Sequence, residues 1–336
     1  LRKSRDVKLD FFYSHDEKTR YYEFHIGYRC EVMTVIEKAI NSYGSDSLGM
    51  KIPTSHKLLI GDSRNIKDSL IGKVQLVVTS PPYWNIKDYG NEKQIGYKQE
   101  LKQYINDLLK VWRKCFKVLQ PGCRMVINIG DQYVRSQKGN PYQIIPIHST
   151  IVNSIMNDNR IKDVIYLGSI IWRKISTTNT SGGASVMGSY PYPRSVYPCF
   201  ENEYIAIFRK IGKTPPPSPE VKSLVKMDID EWRDLTQGIW NFAGAKKEEH
   251  PAAFPEKLPH RLIKMFTFPG ETVLDPFVGT GTTMRASAAL GRNSIGIDIG
   301  FQTKSKIPFD NVIRDKVMSS NKVEYAGEVS FDIIEV

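Results

Sequence analysis

The chain has 336 residues, with 47 Lys and Arg against 36 Asp and Glu and a formal net charge of +11. That length suits one large α/β core with a smaller inserted lobe, and the basic excess fits a polyanionic partner, DNA or RNA, and equally a generally basic, soluble protein. Cys30, Cys115, Cys123 and Cys199 are too scattered for a zinc ribbon or a disulfide scaffold, and no apolar run approaches the roughly 20 residues of a membrane helix, so reduced thiols, a cytoplasmic location and no membrane partner are expected.

The N-terminal residues LRKSRDVKLD are followed by no apolar stretch, and no signal peptide is expected. Residues 1–55 are polar and rich in aromatics, with a helix expected around Glu31–Ser42 and a loop after it. From Lys57, HKLLIGDSRN reads as a short strand ending at Gly61-Asp62. VQLVV (74–78) is a second, buried strand. Tyr97–Leu119 has helical spacing, with Leu101, Tyr104, Ile105, Leu108, Leu109, Trp112 and Phe116 on one face, and stops at Pro121-Gly122. RMVINIGD (124–131) is a third buried strand, and Ile144–Ile155 looks helical. VIYLGSIIW (164–172) and EYIAIFRK (203–210) read as strands, the latter an outer one.

Residues 176–198 between them are rich in Ser, Thr, Gly, Tyr and Pro, and a loop of that length inside a domain is usually functional or disordered. KTPPPSPE (213–220) reads as a connector, and 221–247 as polar with Trp232 and Trp240. His250–Phe268 looks helical after Pro255. ETVLDPFVGTGTT (271–283) is a strand opening through glycines into a helix, and NSIGIDIG (293–300) a strand ending in an acid. The last 35 or so residues carry no pattern. Strands alternate with helices and mostly read as continuous apolar runs, which predicts a parallel sheet covered on both faces.

Two segments carry chemistry. Thr79–Trp84, TSPPYW, follows a buried strand directly, where open α/β sheets place ligand-binding loops. Pro81 and Pro82 fix φ and remove two N–H donors, leaving a stiff loop with acceptors to offer. An exocyclic amine has two N–H groups; Ser80 Oγ and the Pro81 carbonyl can accept them, and Tyr83 offers a stacking face, a contact worth ~1–3 kcal/mol. Asp275–Thr283, DPFVGTGTT, has the strand–glycine–helix geometry of a nucleotide-binding turn, with Gly279 and Gly281 allowing close backbone approach. It lacks the third glycine of a dinucleotide fingerprint and the GK[ST] of a P-loop. Asp298 ends the next strand, where an acid commonly takes ribose hydroxyls. Each signal alone could be turn chemistry or a solvated strand end.

Together, TSPPYW and DPFVGTGTT resemble the amino-methyltransferases of bacterial restriction–modification systems. The amine loop comes first and the glycine turn near the end, which resembles the permuted, beta-type arrangement, and HPAAFPEKLPHRLI (250–263) resembles the segment before the cofactor loop. The likeness spans about residues 57–300. It implies a Rossmann-like, circularly permuted sheet that uses S-adenosylmethionine, with an inserted target-recognition region.

By this resemblance Ser80, Pro81, Pro82 and Tyr83 hold and stack a flipped base, with Trp84 beside the pocket. Asp275, Phe277, Gly279, Gly281 and Thr282 line the methionine end of the cofactor, Asp298 binds its ribose, Asp62 and Ser63 lie near its adenine, and Phe254, Pro255 and Leu258 wall its pocket. The expected parts are an N-terminal extension (1–55) that extends the DNA surface, a catalytic half (56–172), a recognition region (173–247) that includes a core strand near 203–210 and in which Arg173, Lys174 and Arg194 contact DNA, a cofactor half (248–300) and a C-terminal tail (301–336). Lys246, Lys247 and Arg261 fit a solvated basic face better than a site.

The Ser of SPPY is the more typical of N4-cytosine enzymes, so transfer to N4 of a cytosine flipped from duplex DNA is the expectation. N6-adenine methylation, methylation of RNA or of a protein amide, and a DNA-binding protein without catalysis are the alternatives. Pro198-Cys199 resembles the nucleophile pair of C5-cytosine enzymes but precedes a strand rather than occupying the loop of Ser80, and reads as a structural thiol. His250 and His260 read as packing or surface residues. No HxE or PCxxC of a zinc deaminase occurs, and no metal is expected. The expected partners are double-stranded DNA and a cognate endonuclease acting on the same site without binding; the chain is expected to be a monomer or weak dimer.

Overall fold

The computed structural model describes residues 52–85, 88–134, 141–175, 189–196, 198, 200–245, 254–300, 308–322 and 326–336. The expected helix at Glu31–Ser42, most of the 176–198 loop, Cys30, Cys199, Lys246, Lys247 and His250 lie outside them. All the described residues belong to one unit, Ser47–Val336.

The VQLVV run forms β2 (Val74–Thr79), buried at every position. Successive side chains of a strand point to opposite faces, so a strand buried throughout needs cover on both. Val77 packs into a core that includes Tyr104, Leu108 and Trp112 of helix α2 (Leu101–Val118) and Ile147, Ile151 and Ile155 of α3 (Ile147–Met156). Leu76 and Val78 pack on the other side with Leu258, Leu262 and Ile263 of α6 (Lys257–Phe266) and Ala286 of α7 (Thr282–Ala289). Short helices α1 (Asp68–Ile71), α4 (Pro219–Leu224) and α5 (Ile229–Leu235) lie in the connections.

Nine strands form the main sheet among the described residues, in the order β11-β1-β10-β9-β2-β3-β7-β6-β8. They are β1 (Ile52–Ile60), β2, β3 (Leu119–Ile129), β6 (Val164–Ile175), β7 (Asn202–Lys210), β8 (Ile239–Ala243), β9 (Thr272–Asp275), β10 (Asn293–Asp298) and β11 (Ala326–Glu335); β4 (Gln132–Val134) and β5 (Gln143–Ile145) make a separate antiparallel pair. β11, β1, β10, β9, β2 and β3 run parallel, so Gly61, Asp298, Asp275, Ser80 and Gly130 all leave the sheet at one edge. The connection after β2 crosses through α2 to β3 on one side, whereas β9 crosses through α7 to β10 on the other. The crevice between β9 and β2 is therefore a topological switch point, where open α/β sheets bind ligands. Chain order runs β2 before β9, the permuted arrangement.

Three elements depart from the sequence expectation. β7 is an internal strand of the core, antiparallel to both β3 and β6, not an outer strand, so the sheet is mixed rather than wholly parallel. The polar stretch 221–247 contributes β8, parallel to β6, with Trp240 and Phe242 buried and the Trp172 indole donating to the Phe242 carbonyl at 3.0 Å. The unpatterned tail supplies α8 (Phe309–Met318), which seats Ile313 and Val317 against Leu58 and Met284, and edge strand β11.

Candidate functional site

At the parallel edge a cleft of about 870 Å³, mouth included, opens between the ends of β1, β10, β9 and β2. Its wall brings together Asp62, Ser63, Ser80, Pro81, Pro82, Tyr83, Phe254, Phe277, Gly279, Thr282 and Asp298 from separate stretches of sequence.

The floor is built by Asp275, 1% exposed. Its carboxylate accepts from Thr79 Oγ1 at 2.8 Å, from Thr283 Oγ1 at 2.6 Å and from the Phe277 N–H at 3.0 Å. Burial pushes its carboxyl up to about 6, against the pull of those donors. Asp275 thus lies beneath the wall rather than on it, stitching β9, the start of α7 and the end of β2. Gly281 also leaves the wall: it caps α7 at φ +78°, and a Cβ there would meet Ile313 Cγ2 at 2.7 Å. The turn and the packing against α8 are enough to require this glycine.

Asp298 stands on the wall. Its Oδ2 accepts from Gly279 N–H at 3.0 Å and its Oδ1 from Gly300 N–H at 2.9 Å. Each carboxylate oxygen keeps acceptor capacity beyond one bond, and burial raises this carboxyl to about 6 despite those bonds. Ser63 Oγ donates to the Pro276 carbonyl at 2.5 Å, tying the β1 loop to the glycine turn. Asp62 is gripped by Arg64, whose Nη2 lies 2.7 Å from its carboxylate. Arg64 also reaches Asp107 at 2.7 Å and the Lys93 carbonyl at 2.8 Å.

Those contacts expose what the sequence reading missed. Residues 88–95 lie along the cleft, adding Tyr89, Lys93, Gln94 and Ile95 to its wall, with Val278, Thr280, Ile299 and Gly300. The Tyr89 N–H donates to Gln94 Oε1 at 2.6 Å, and Asn91 Nδ2 donates to the Ile299 carbonyl at 3.1 Å. The Tyr89 hydroxyl is pushed up to about 12 by burial and by the Asp298 charge. Asp88-Tyr89-Gly90 was the available signal, turn residues on either side of an aromatic.

In the amine loop the Pro82 carbonyl accepts from Tyr104 Oη at 2.9 Å, which fixes the proline pair on α2. Burial, and after it the Glu203 charge, raise the Tyr83 phenol well above its ordinary range. Trp84, expected beside the pocket, turns away: its indole donates to the Gln99 carbonyl at 2.7 Å and its ring joins the α2 core. Pro255 is likewise off the wall, with its carbonyl starting α6 by accepting from Leu258 N–H at 3.0 Å. Leu258 is buried in the core. Arg261 is held by Asp234 at 2.5 Å and lies over the Trp240 ring, not on a solvated face. Arg173 and Arg194 are exposed and apart from the cleft, while Lys174 is ion-paired to Glu203. Among the described residues no group of three or more His, Cys, Asp or Glu is gathered as for a metal ion.

A sequence profile described as DNA methylase, of the N6/N4 methyltransferase type, matches residues 74–307. The chain belongs to the N6/N4 DNA methylase family. The methyltransferase is 35% identical over 285 residues to Type II methyltransferase M.MjaI of Methanocaldococcus jannaschii, covering 75% of this chain and 89% of the relative. It is 32% identical to Type II methyltransferase M.MthZI of Methanothermobacter thermautotrophicus, covering 80% and 79%. The putative DNA modification methylase TTHA0409 of Thermus thermophilus, solved in complex with S-adenosyl-L-methionine, superposes with a TM-score of 0.62 at 28% identity, covering 83% of this chain and 98% of that one.

The cofactor of the methyltransferase is S-adenosylmethionine, and the cleft fits it. The wall offers the kinds of group such a cofactor needs: carboxylate oxygens of Asp298 able to accept from hydroxyls, a glycine at 279, and apolar surface from Phe254, Phe277, Val278 and Ile299.

Proposed function

We propose that the methyltransferase transfers a methyl group to N4 of a cytosine flipped out of duplex DNA, as the modifying partner of a restriction endonuclease. The observation that carries this reading is the position of Ser80. It follows β2, next to β9, and lines the same cleft as Gly279 and Asp298. An amine held at Ser80 therefore faces the cofactor across the switch point.

S-adenosylmethionine, when bound, supplies an electrophilic methyl group. The remaining work falls to the chain. Asp298 would take the ribose hydroxyls, Asp62 and Ser63 would lie by the adenine, and Phe277, Gly279 and Thr282 would flank the methionine end. The exocyclic amine of cytosine is a poor nucleophile because its lone pair is delocalised into the ring. Acceptance of its two N–H groups by Ser80 Oγ and the Pro81 carbonyl draws the nitrogen toward a tetrahedral geometry and aims the lone pair at the methyl group. The Pro82 carbonyl is already engaged by Tyr104, which supports assigning the second acceptor to Pro81. Tyr83 would stack the base. Positioning and fixed dipoles, rather than a covalent intermediate, carry the rate.

The Ser of SPPY supports cytosine over adenine. Sequence readout is assigned to residues 173–247, with the exposed Arg173 and Arg194 as phosphate or guanine contacts. The test is to incubate the protein with labelled S-adenosylmethionine and unmethylated DNA, digest the DNA and identify the nucleoside by mass spectrometry. N4-methylcytosine is expected. N6-methyladenine would overturn the base assignment and leave the cofactor cleft standing.

A further inference from the structure

Behind the amine loop lies a buried polar chain that neither the loop nor the cofactor cleft accounts for. Strand β7 runs antiparallel to β3, so its first residues arrive at the edge where β3 ends. This brings Glu203, 8% exposed, beside Asn128, 2% exposed. Asn128 Nδ2 donates to Glu203 Oε2 at 2.7 Å and also to Tyr83 Oη at 3.4 Å. The other carboxylate oxygen, Oε1, is ion-paired with Lys174 at the end of β6. Gly130 makes the approach possible: a Cβ there would stand 3.2 Å from Glu203 Cγ and 3.7 Å from Tyr83 Cε2.

The amide orientation shows which partner dominates. Asn128 Oδ1 is buried without a hydrogen-bond partner, an unfavourable state for a carbonyl. It is tolerated because turning the amide would aim that carbonyl at the Glu203 carboxylate. Glu203 therefore fixes the face that Asn128 presents to Tyr83.

We propose that Glu203 is a positioning residue for methyl transfer: anchored by Lys174, it orients the Asn128 amide and holds the Tyr83 hydroxyl beside the target base, both directly and through that amide. Lys174 belongs to this chain of contacts through its ion pair with Glu203. The inference rests on the reading of Ser80–Tyr83 as the base-holding loop. Glu203 touches no reacting atom, so its removal alters kcat more than the binding of either substrate.

The test is a double-mutant cycle in the full chain, with Glu203→Gln, Tyr83→Phe and the pair, measuring kcat, KM for DNA and S-adenosylmethionine affinity. Glu203→Gln keeps shape and removes the charge, and Tyr83→Phe removes only the hydroxyl. If Glu203 acts through that hydroxyl, each single change lowers kcat by about tenfold and the double variant is no slower than the slower single. Cofactor affinity stays within about twofold, because the network lies off the cofactor wall. Multiplying effects in the double variant, or wild-type kcat in Glu203→Gln, overturns the proposal. Wild-type kcat in Tyr83→Ala would instead overturn the base-holding reading itself.

Discussion

Asp298 shows how one carboxylate can serve two ends. Gly279 and Gly300 hold it in place, and its remaining lone pairs face the cleft. Burial raises its carboxyl to about 6, so the ionised form that accepts hydroxyl hydrogen bonds predominates only above that pH. Cofactor affinity is therefore expected to be level above about pH 7 and to fall, approaching tenfold per unit, below about pH 6. Calorimetric titration between pH 5 and 8 checks this. Asp298→Asn should weaken binding by about tenfold or more at pH 7.5 and reduce the pH dependence to the part that Asp275, also raised to about 6, contributes. Residues of this kind, on strand ends and glycine turns, were legible in the sequence because their spacing is set by local backbone. Trp84 and Pro255 were misassigned because adjacency in sequence does not decide which way a side chain turns. Tyr89 and Gln94 were missed because a loop's lie over a cleft depends on distant partners, here Ile299 and the Arg64 cluster.

At the scale of elements, the helices read from sequence were α2, α3 and α6, from their apolar stripes, and α7, from its glycine turn, and the strands those with apolar runs. β8 and β11 were not read, because edge strands bury one face in part and carry polar residues on the other. α7 depends on its glycine start. Gly281→Ala forces an L side chain into φ +78° against Ile313, and is expected to destabilise the fold by about 1–3 kcal/mol. That corresponds to a fall of several degrees in melting temperature, at roughly 2–4 °C per kcal/mol. A variant melting with the wild type would show that α8 yields freely at this contact.

For the whole molecule, the mixed sheet constrains how specificity can be moved. Residues 173–247 contain β7 and β8, which carry Phe208 and Trp240 into the core, so the proposed recognition segment is threaded through the scaffold. Replacing 176–200 and 211–238 with the matching segments of a relative, while keeping both strands, should give a folded enzyme with an altered target sequence, read by methylation protection of a DNA library. Unchanged specificity would count against assigning recognition there. Acid stability is also a property of the whole fold. His56 is buried between Thr54 and Ser294, and burial lowers it to about 3. The unfolded chain takes up a proton below about pH 6.5 that the folded one refuses. The stability this site contributes is thus complete above that pH and lost at up to about 1.4 kcal/mol per unit as pH falls toward 3. Denaturant midpoints at pH 7, 6 and 5 for wild type and His56→Gln should show the smaller slope in the variant.

The central claim is that Ser80 holds the amine that the neighbouring cleft methylates. Single-turnover methyl transfer by Ser80→Ala, with cofactor affinity measured on the same sample, tests it most directly. Loss of a positioned acceptor should slow transfer by about 10²-fold while cofactor affinity stays within about twofold, since Asp298 and the glycine turn are untouched. Transfer at the wild-type rate would contradict the account.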